Sequence, residues 1–202
     1  MQLTQDQGRA LARYAREIIA AAIGGPTPTP PAFPGADEPA ATFVTIHDVR
    51  AGGPKLHGCM GSLVAHESLV DDVAHNAVAA AFIDPRATPL DLPDVPRLEI
   101  DVTLLGPLAP ILCRDERSAI EALRPGVDGV VLTWHGRRGT LLPQVWRELP
   151  DPQEFLANVK LKAGLPETFW AGDVQLFRYE ATRFTDPPLV ANRSRRPTEA
   201  NA

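Results

Sequence analysis

With 202 residues, 44% of them hydrophobic and 22% charged, the chain can bury a sizeable core as one domain or as two lobes. A net charge of −5 and a pI near 5.5 argue against a general phosphate-backbone binder, so nucleic acid is not indicated. No apolar run reaches membrane-spanning length, no signal peptide opens the chain, and two cysteines, Cys59 and Cys113, make no disulfide framework; the expected setting is a reducing cytoplasm.

Thr4-Gln5-Asp6-Gln7 reads as a capping box that opens a helix with Leu11, Ala15, Ile18, Ile19 and Ala22 on its buried stripe. Gly24-Gly25-Pro26 ends it. Residues 24–40 carry six prolines and are expected to form an extended surface loop, more a solvated connector than a packed element. Residues 41–47 are rich in β-branched side chains and read as a strand, which Ala51-Gly52-Gly53-Pro54 turns into a returning arm from Lys55 onward.

That arm holds Leu56-His57-Gly58-Cys59-Met60-Gly61, where a cysteine lies between two glycines and beside an imidazole. Glycine permits positive φ, so the Gly58–Gly61 peptide could aim N–H groups at a thiolate or a bound anion. In an extended run His57 and Cys59 share a face, and the imidazole then holds the thiolate as an ion pair or takes its proton. The competing reading is a small thiol packed as a hydrophobe.

Ser68 caps the next helix, with Asp71 and Asp72 in its first turn and Leu69, Val73, Ala77 and Ala80 facing inward. Asp84-Pro85-Arg86 ends it. Arg86 is either solvated, paired with Asp84, or a forked clamp for a carboxylate or phosphate. Leu98 to Leu104 alternates apolar and polar residues as a half-buried strand, and residues 108–112 form a shorter one. Cys113, with neither glycine nor histidine beside it, is read as structural. Residues 117–123 form a short helix. Residues 129–135 and 140–142 form a hairpin around Gly136-Arg137-Arg138-Gly139. Gln144 can fix a substrate amide or carboxylate, or satisfy loop backbone. Asp151-Pro152-Gln153-Glu154 starts a helix that Gly164 ends, with Lys162 in the last turn complementing the dipole. Residues 174–179 are the final expected strand, and the tail over 187–202 is expected to be disordered.

Hairpins and helices without regular βαβ repeats indicate an α+β fold. His47, His57, His66, His75 and His135 show no metal-ligand spacing, and no nucleotide loop is present, so neither a metal nor a cofactor is expected.

Leu56-His57-Gly58-Cys59-Met60-Gly61 resembles the Leu-Arg-Gly-Cys-Ile-Gly hallmark of the AMMECR family, in particular its bacterial branch, AmmeMemoRadiSam system protein A. The resemblance extends through residues 80–86, 98–105, 125–129 (Pro-Gly-Val-Asp-Gly), 142–145 and 162–165, and closes at Trp170. It implies one domain over residues 1–186, built as two lobes of mostly antiparallel sheet with packed helices and a cleft near the cysteine motif. It also implies a pathway shared with a Memo-like protein and a radical SAM enzyme. Histidine at 57 replaces the family's arginine, exchanging a fixed cation for one that titrates near neutrality, so a site built on thiolate stabilisation is expected to be more pH-dependent here. On the enzymatic reading Cys59 is nucleophile or covalent carrier with His57 as base or cationic partner, and Gly58, Gly61, Arg86, Gln144 and Lys162 position substrate. The alternative is a non-catalytic protein that presents substrate or docks partners.

Overall fold

The computed structural model describes residues 1–49 and 53–190, so the expected tail from 191 on, and part of the Ala51–Pro54 turn, lie outside the described residues. The fold is α+β and divides into two units: residues 1–105 with the chain from Thr182, and residues 106–181.

In the first unit, α1 (Gln5–Ala22) starts on the expected box: Thr4 Oγ1 accepts the Gln7 N–H at 3.3 Å and the Gln7 side chain accepts the Thr4 N–H at 2.8 Å. β1 (Pro39–Ala40) pairs with β4 (Glu67–Ser68). β2 (Thr42–Asp48), β3 (Lys55–Gly61), β5 (Leu98–Leu105) and β10 (Ala181–Asp186) form a sheet in the order β10-β5-β2-β3. β2 is antiparallel to both its neighbours. Strand β10, whose Phe184 is buried, was not expected from the sequence.

α2 (Leu69–Phe82) packs on β2 and β3, and α1 on β5 and α2. Leu11, Ala15 and Ile19 meet Leu69, Val73, Ala77 and Ala80, with Val44, Ile46, Ile100 and Val102 beneath. The proline-rich segment is not only a connector. Its end seats Ala36 in the core, and the Glu38 and Ala36 carbonyls accept the Leu69 and Val70 N–H groups, which a helix start leaves without partners.

Two polar devices lock this unit. Buried Arg16 spends its donors on the Asp186 carboxylate (2.6 Å), the Val95 and Leu98 carbonyls (both 2.8 Å), and the carbonyls of Asp186 (3.1 Å) and Pro187 (3.0 Å). One Asp72 oxygen accepts the Thr42 N–H, the Thr42 hydroxyl and the Asn76 amide, pinning the start of β2 to α2.

The second unit holds a sheet in the order β6 (Ala109–Ile111), β9 (Gln175–Tyr179), β7 (Gly129–Trp134), β8 (Arg137–Leu141). α3 (Glu116–Ala122) packs on α4 (Pro152–Lys162), and α4 on β8 and β7. The hairpin turn is two residues tighter than expected. His135 and Gly136 both take positive φ, 43° and 79°, as a two-residue reversal requires, and Arg137 to Gly139 join β8. Gly139 is needed there because a Cβ would collide with the Val159 carbonyl of α4. Buried Asp128, within the Pro-Gly-Val-Asp-Gly stretch, is gripped by Arg124 and Arg178, while its carbonyl accepts the Trp146 indole N–H at 2.7 Å.

Candidate functional site

Cys59 lies on β3, an edge strand, directly across from Thr45, which is across from Asp101 of β5. Val44 and Ile46 point into the core under the helices, so Thr45 points to the opposite face. Its hydroxyl donates to Cys59 Sγ at 3.2 Å, which puts the thiol on the face away from α1 and α2.

His57 goes the other way. Ile46 pairs with Gly58 but His47 pairs with Leu56, leaving His57 as the extra residue of a β-bulge. Its ring is buried against α2, with Nε2 donating to Ala81 O at 3.0 Å. Ala81 is in the last turn of α2, where carbonyls have no intrahelical partner, so His57 closes a helix end. The expected shared face of His57 and Cys59 is therefore corrected, because period two fails where a bulge inserts a residue.

The glycines also differ from expectation. Gly58 and Gly61 are not among the residues with positive φ, so they build no nest. A Cβ on Gly58 would overlap the Ala80 carbonyl, and one on Gly61 would overlap the Phe43 ring. Both are sites of close packing.

What does hold the Cys59 backbone is Asp84, just beyond α2 and 5% exposed. Its Oδ2 accepts the Cys59 N–H at 2.9 Å and Arg86 Nη2 at 2.7 Å, while Oδ1 accepts the Arg86 N–H and Nε, both at 2.9 Å. The Arg86 fork, opposed by burial and reinforced by the two backbone donors, holds the Asp84 carboxyl well below the usual carboxylate range. Asp84 in turn pushes the Arg86 pKa up, with a further contribution from the Cys59 thiolate. Among the described residues, Arg86 is thus a cation in electrostatic reach of Cys59. Beside it an open pocket of about 460 Å³ is lined by Lys55, His57, Arg86, Asp48, Thr88 and Pro89 among others.

Gln144 and Lys162 belong to the second unit, Gln144 half-buried on the short helical turn Pro143–Arg147 and Lys162 exposed at the end of α4. The first unit groups Cys59, His57, Gly58, Gly61 and Arg86. Cys113 is half-buried, and burial followed by the Asp115 charge raises its pKa.

Three residues are not singled out as site residues by the sequence. Asp84 is expected there as part of a helix-ending turn and as one alternative partner of Arg86, but nothing in the sequence ties it to the Cys59 backbone. Thr45 carried no signal beyond its place on a strand. Lys160 is fully buried, donating to the Glu116 carboxylate and to Glu167 O at 2.7 Å, with the Trp170 ring centred 6.0 Å away. Its position four residues after Leu156 marked it as inward-facing.

The AMMECR1 family model matches residues 12–184. A protein of Methanocaldococcus jannaschii is 32% identical over 187 residues, covering 91% of this chain and 92% of the relative. Another, of Methanothermobacter thermautotrophicus, is 32% identical over 190 residues, covering 90% and 95%. The crystal structure of an uncharacterized protein from Pyrococcus horikoshii superposes with a TM-score of 0.83 at 29% identity, covering 93% of this chain and 96% of that one.

Proposed function

The chain belongs to the AMMECR1 family, and from that premise we propose that Cys59 is a reactive thiol, nucleophile or covalent carrier, in a cytoplasmic modification pathway that this protein serves with a Memo-like protein and a radical SAM enzyme. The observation that carries the reading is the single Asp84 carboxylate that binds both the Cys59 N–H and the Arg86 guanidinium. It holds a permanent cation within electrostatic reach of the thiol, and a nearby cation favours thiolate over thiol. The Thr45 hydroxyl adds a hydrogen bond to sulfur, which also favours the charged form. Lys55 and the exposed side of Arg86 suit an anionic group on the substrate, carboxylate or phosphate, in the adjoining pocket. His57, engaged with Ala81, serves in this reading as a positioning residue for β3 against α2.

The close packing of Gly58 and Gly61 favours a second reading, in which the motif is a rigid edge that presents substrate or docks partners without chemistry of its own. The two are separated by alkylation. Iodoacetamide is expected to label Cys59 faster than Cys113 in the native protein, with a pH profile displaced below that of a free thiol. Cys59→Ser is expected to abolish pathway activity while leaving co-purification with both partners intact. Slow, equal labelling of the two cysteines, or full activity of Cys59→Ser, would overturn the thiol role and leave the presenting role.

A further inference from the structure

The face of the first sheet that carries Cys59 also carries a second cluster, which the thiol reading does not use. His47 on β2 pairs directly with Glu99 on β5, and Asp101 lies two residues further along the same face of β5. A ring nitrogen of His47 and one carboxylate oxygen from each acid all lie within 4.8 Å of one another. His47 Nδ1 is 3.7 Å from Asp101 Oδ2. Metal–ligand bonds of about 2.1 Å place neighbouring donors roughly 3.0–3.4 Å apart, so small side-chain rotations would close this set on one ion.

The hydrogen bonding points the same way. Among the described residues, two buried side-chain atoms are without a hydrogen-bond partner, His47 Nδ1 and Thr103 Oγ1, and both belong to this face. An orphaned imidazole nitrogen aimed at two carboxylates is the arrangement of a ligand held ready, since a buried polar atom left unpaired is costly. The competitor is Arg183 of β10. Its Nη2 donates to Asp101 Oδ2 at 2.5 Å and lies 4.0 Å from Glu99 Oε1, while Thr185 donates to Asp101 Oδ1 at 2.5 Å. One guanidinium against two carboxylates leaves the cluster negative, and the Arg183 side chain is 43% exposed, free to swing outward.

We propose that His47, Glu99 and Asp101 form a binding site for a divalent first-row metal ion, one nitrogen and two oxygen donors with solvent completing the shell, which Arg183 occupies in the metal's place. Such a donor set suits Mn²⁺, Fe²⁺ or Zn²⁺ rather than the soft ions that thiolates select. Linear spacing hides it because the ligands come from two paired strands. The site does not rest on the Cys59 reading, as no thiol is among its ligands.

Mn²⁺ titration followed by electron paramagnetic resonance tests it on the full chain. One equivalent is expected to bind saturably, with electron-spin-echo modulation from an imidazole nitrogen. His47→Ala should weaken binding by about tenfold or more and remove the nitrogen modulation. Glu99→Gln, nearly isosteric at a partly exposed position, should weaken it without unfolding the protein. Arg183→Ala should tighten it, because the competing cation is gone. Absence of saturable binding in both the wild type and Arg183→Ala, or unchanged affinity in His47→Ala and Glu99→Gln, would overturn the site.

Discussion

Asp84 reaches back from the end of α2 to take the backbone N–H of Cys59 at 2.9 Å, tying an edge strand to the helix that covers it. The same carboxyl is held low, first by the Arg86 fork and then by backbone donors. A depressed folded pKa means that the unfolded chain takes up the proton first. The stabilisation is therefore complete above the ordinary aspartate value of about 3.9 and is lost as pH falls through the folded value. Asp84→Asn should lose about 1.5–3 kcal/mol at neutral pH, typical of hydrogen bonds to a charged group, and should show a flatter acid limb. Urea midpoints from neutral to strongly acid pH decide this; a mutant that runs parallel to wild type throughout would contradict it.

His57 and Arg86 should separate cleanly as variants. His57→Ala removes the donor on Ala81 O and leaves a buried helix end unsatisfied, costing about 1–3 kcal/mol. The iodoacetamide rate of Cys59 should change little, since the imidazole lies on the other side of the strand. Arg86→Ala should do the reverse to the thiol, slowing its labelling at neutral pH and moving its profile upward. Equal effects of the two variants on labelling would reinstate His57 as the partner of Cys59.

Gly58→Ala is expected to destabilise by about 1–3 kcal/mol, as overpacking does, because the obstacle to its Cβ is the Ala80 carbonyl, a backbone atom that cannot rotate away. A glycine kept for ligand approach would instead tolerate alanine in the free protein and lose affinity only when substrate is present. Thermal denaturation of the free protein distinguishes the two.

The readable parts of this fold were those determined within a few residues. Thr4 with Gln7, Ser68 with Asp71, and Asp151 with Glu154 are local pairs, and each helix begins where they stand. Long-range pairing hid the rest. The bulge at His57 exists because β3 must match β2, and no periodicity within β3 announces it. The alternation of β5 suggested a wet face, yet Asp101 and Thr103 are each 1% exposed. Ala181 to Asp186 pairs with a strand some eighty residues earlier, so its own weak pattern said little. The cysteine was visible from the start, but the side chains that frame it, Asp84 and Thr45, come from a helix end and a neighbouring strand.

Arg16 makes five side-chain hydrogen bonds within the first unit, and its loss should be felt there. Arg16→Ala would leave the buried Asp186 carboxylate without its guanidinium partner, and removal of one partner of such a pair costs about 3–5 kcal/mol. Arg16→Lys retains the charge but cannot reach five acceptors, so it should recover only part of the loss. Urea unfolding measures both, and a lysine variant as stable as wild type would show that charge alone suffices.

Tyr179 gives the corresponding prediction at high pH. It is 1% exposed on β9, with its hydroxyl donating to Leu141 O at 3.2 Å and 3.0 Å from Thr140 Oγ1. Burial pushes its pKa up to about 12, partly offset by the Thr140 hydrogen bond. The neutral phenol is the form the fold holds. Its stabilisation is therefore whole below the unfolded tyrosine value of about 10 and drains away as pH rises from there through about 12. The chain has two tyrosines, and burial, reinforced by Asp71 and Glu17, raises Tyr14 as well, so ultraviolet titration should show little tyrosinate until the protein unfolds. Tyr179→Phe should lose about 0.5–1.5 kcal/mol at neutral pH, for the hydrogen bond, while resisting alkaline unfolding better than that loss implies. Tyrosinate absorbance rising near pH 10 with the near-ultraviolet circular dichroism intact would show that the phenol is not sealed.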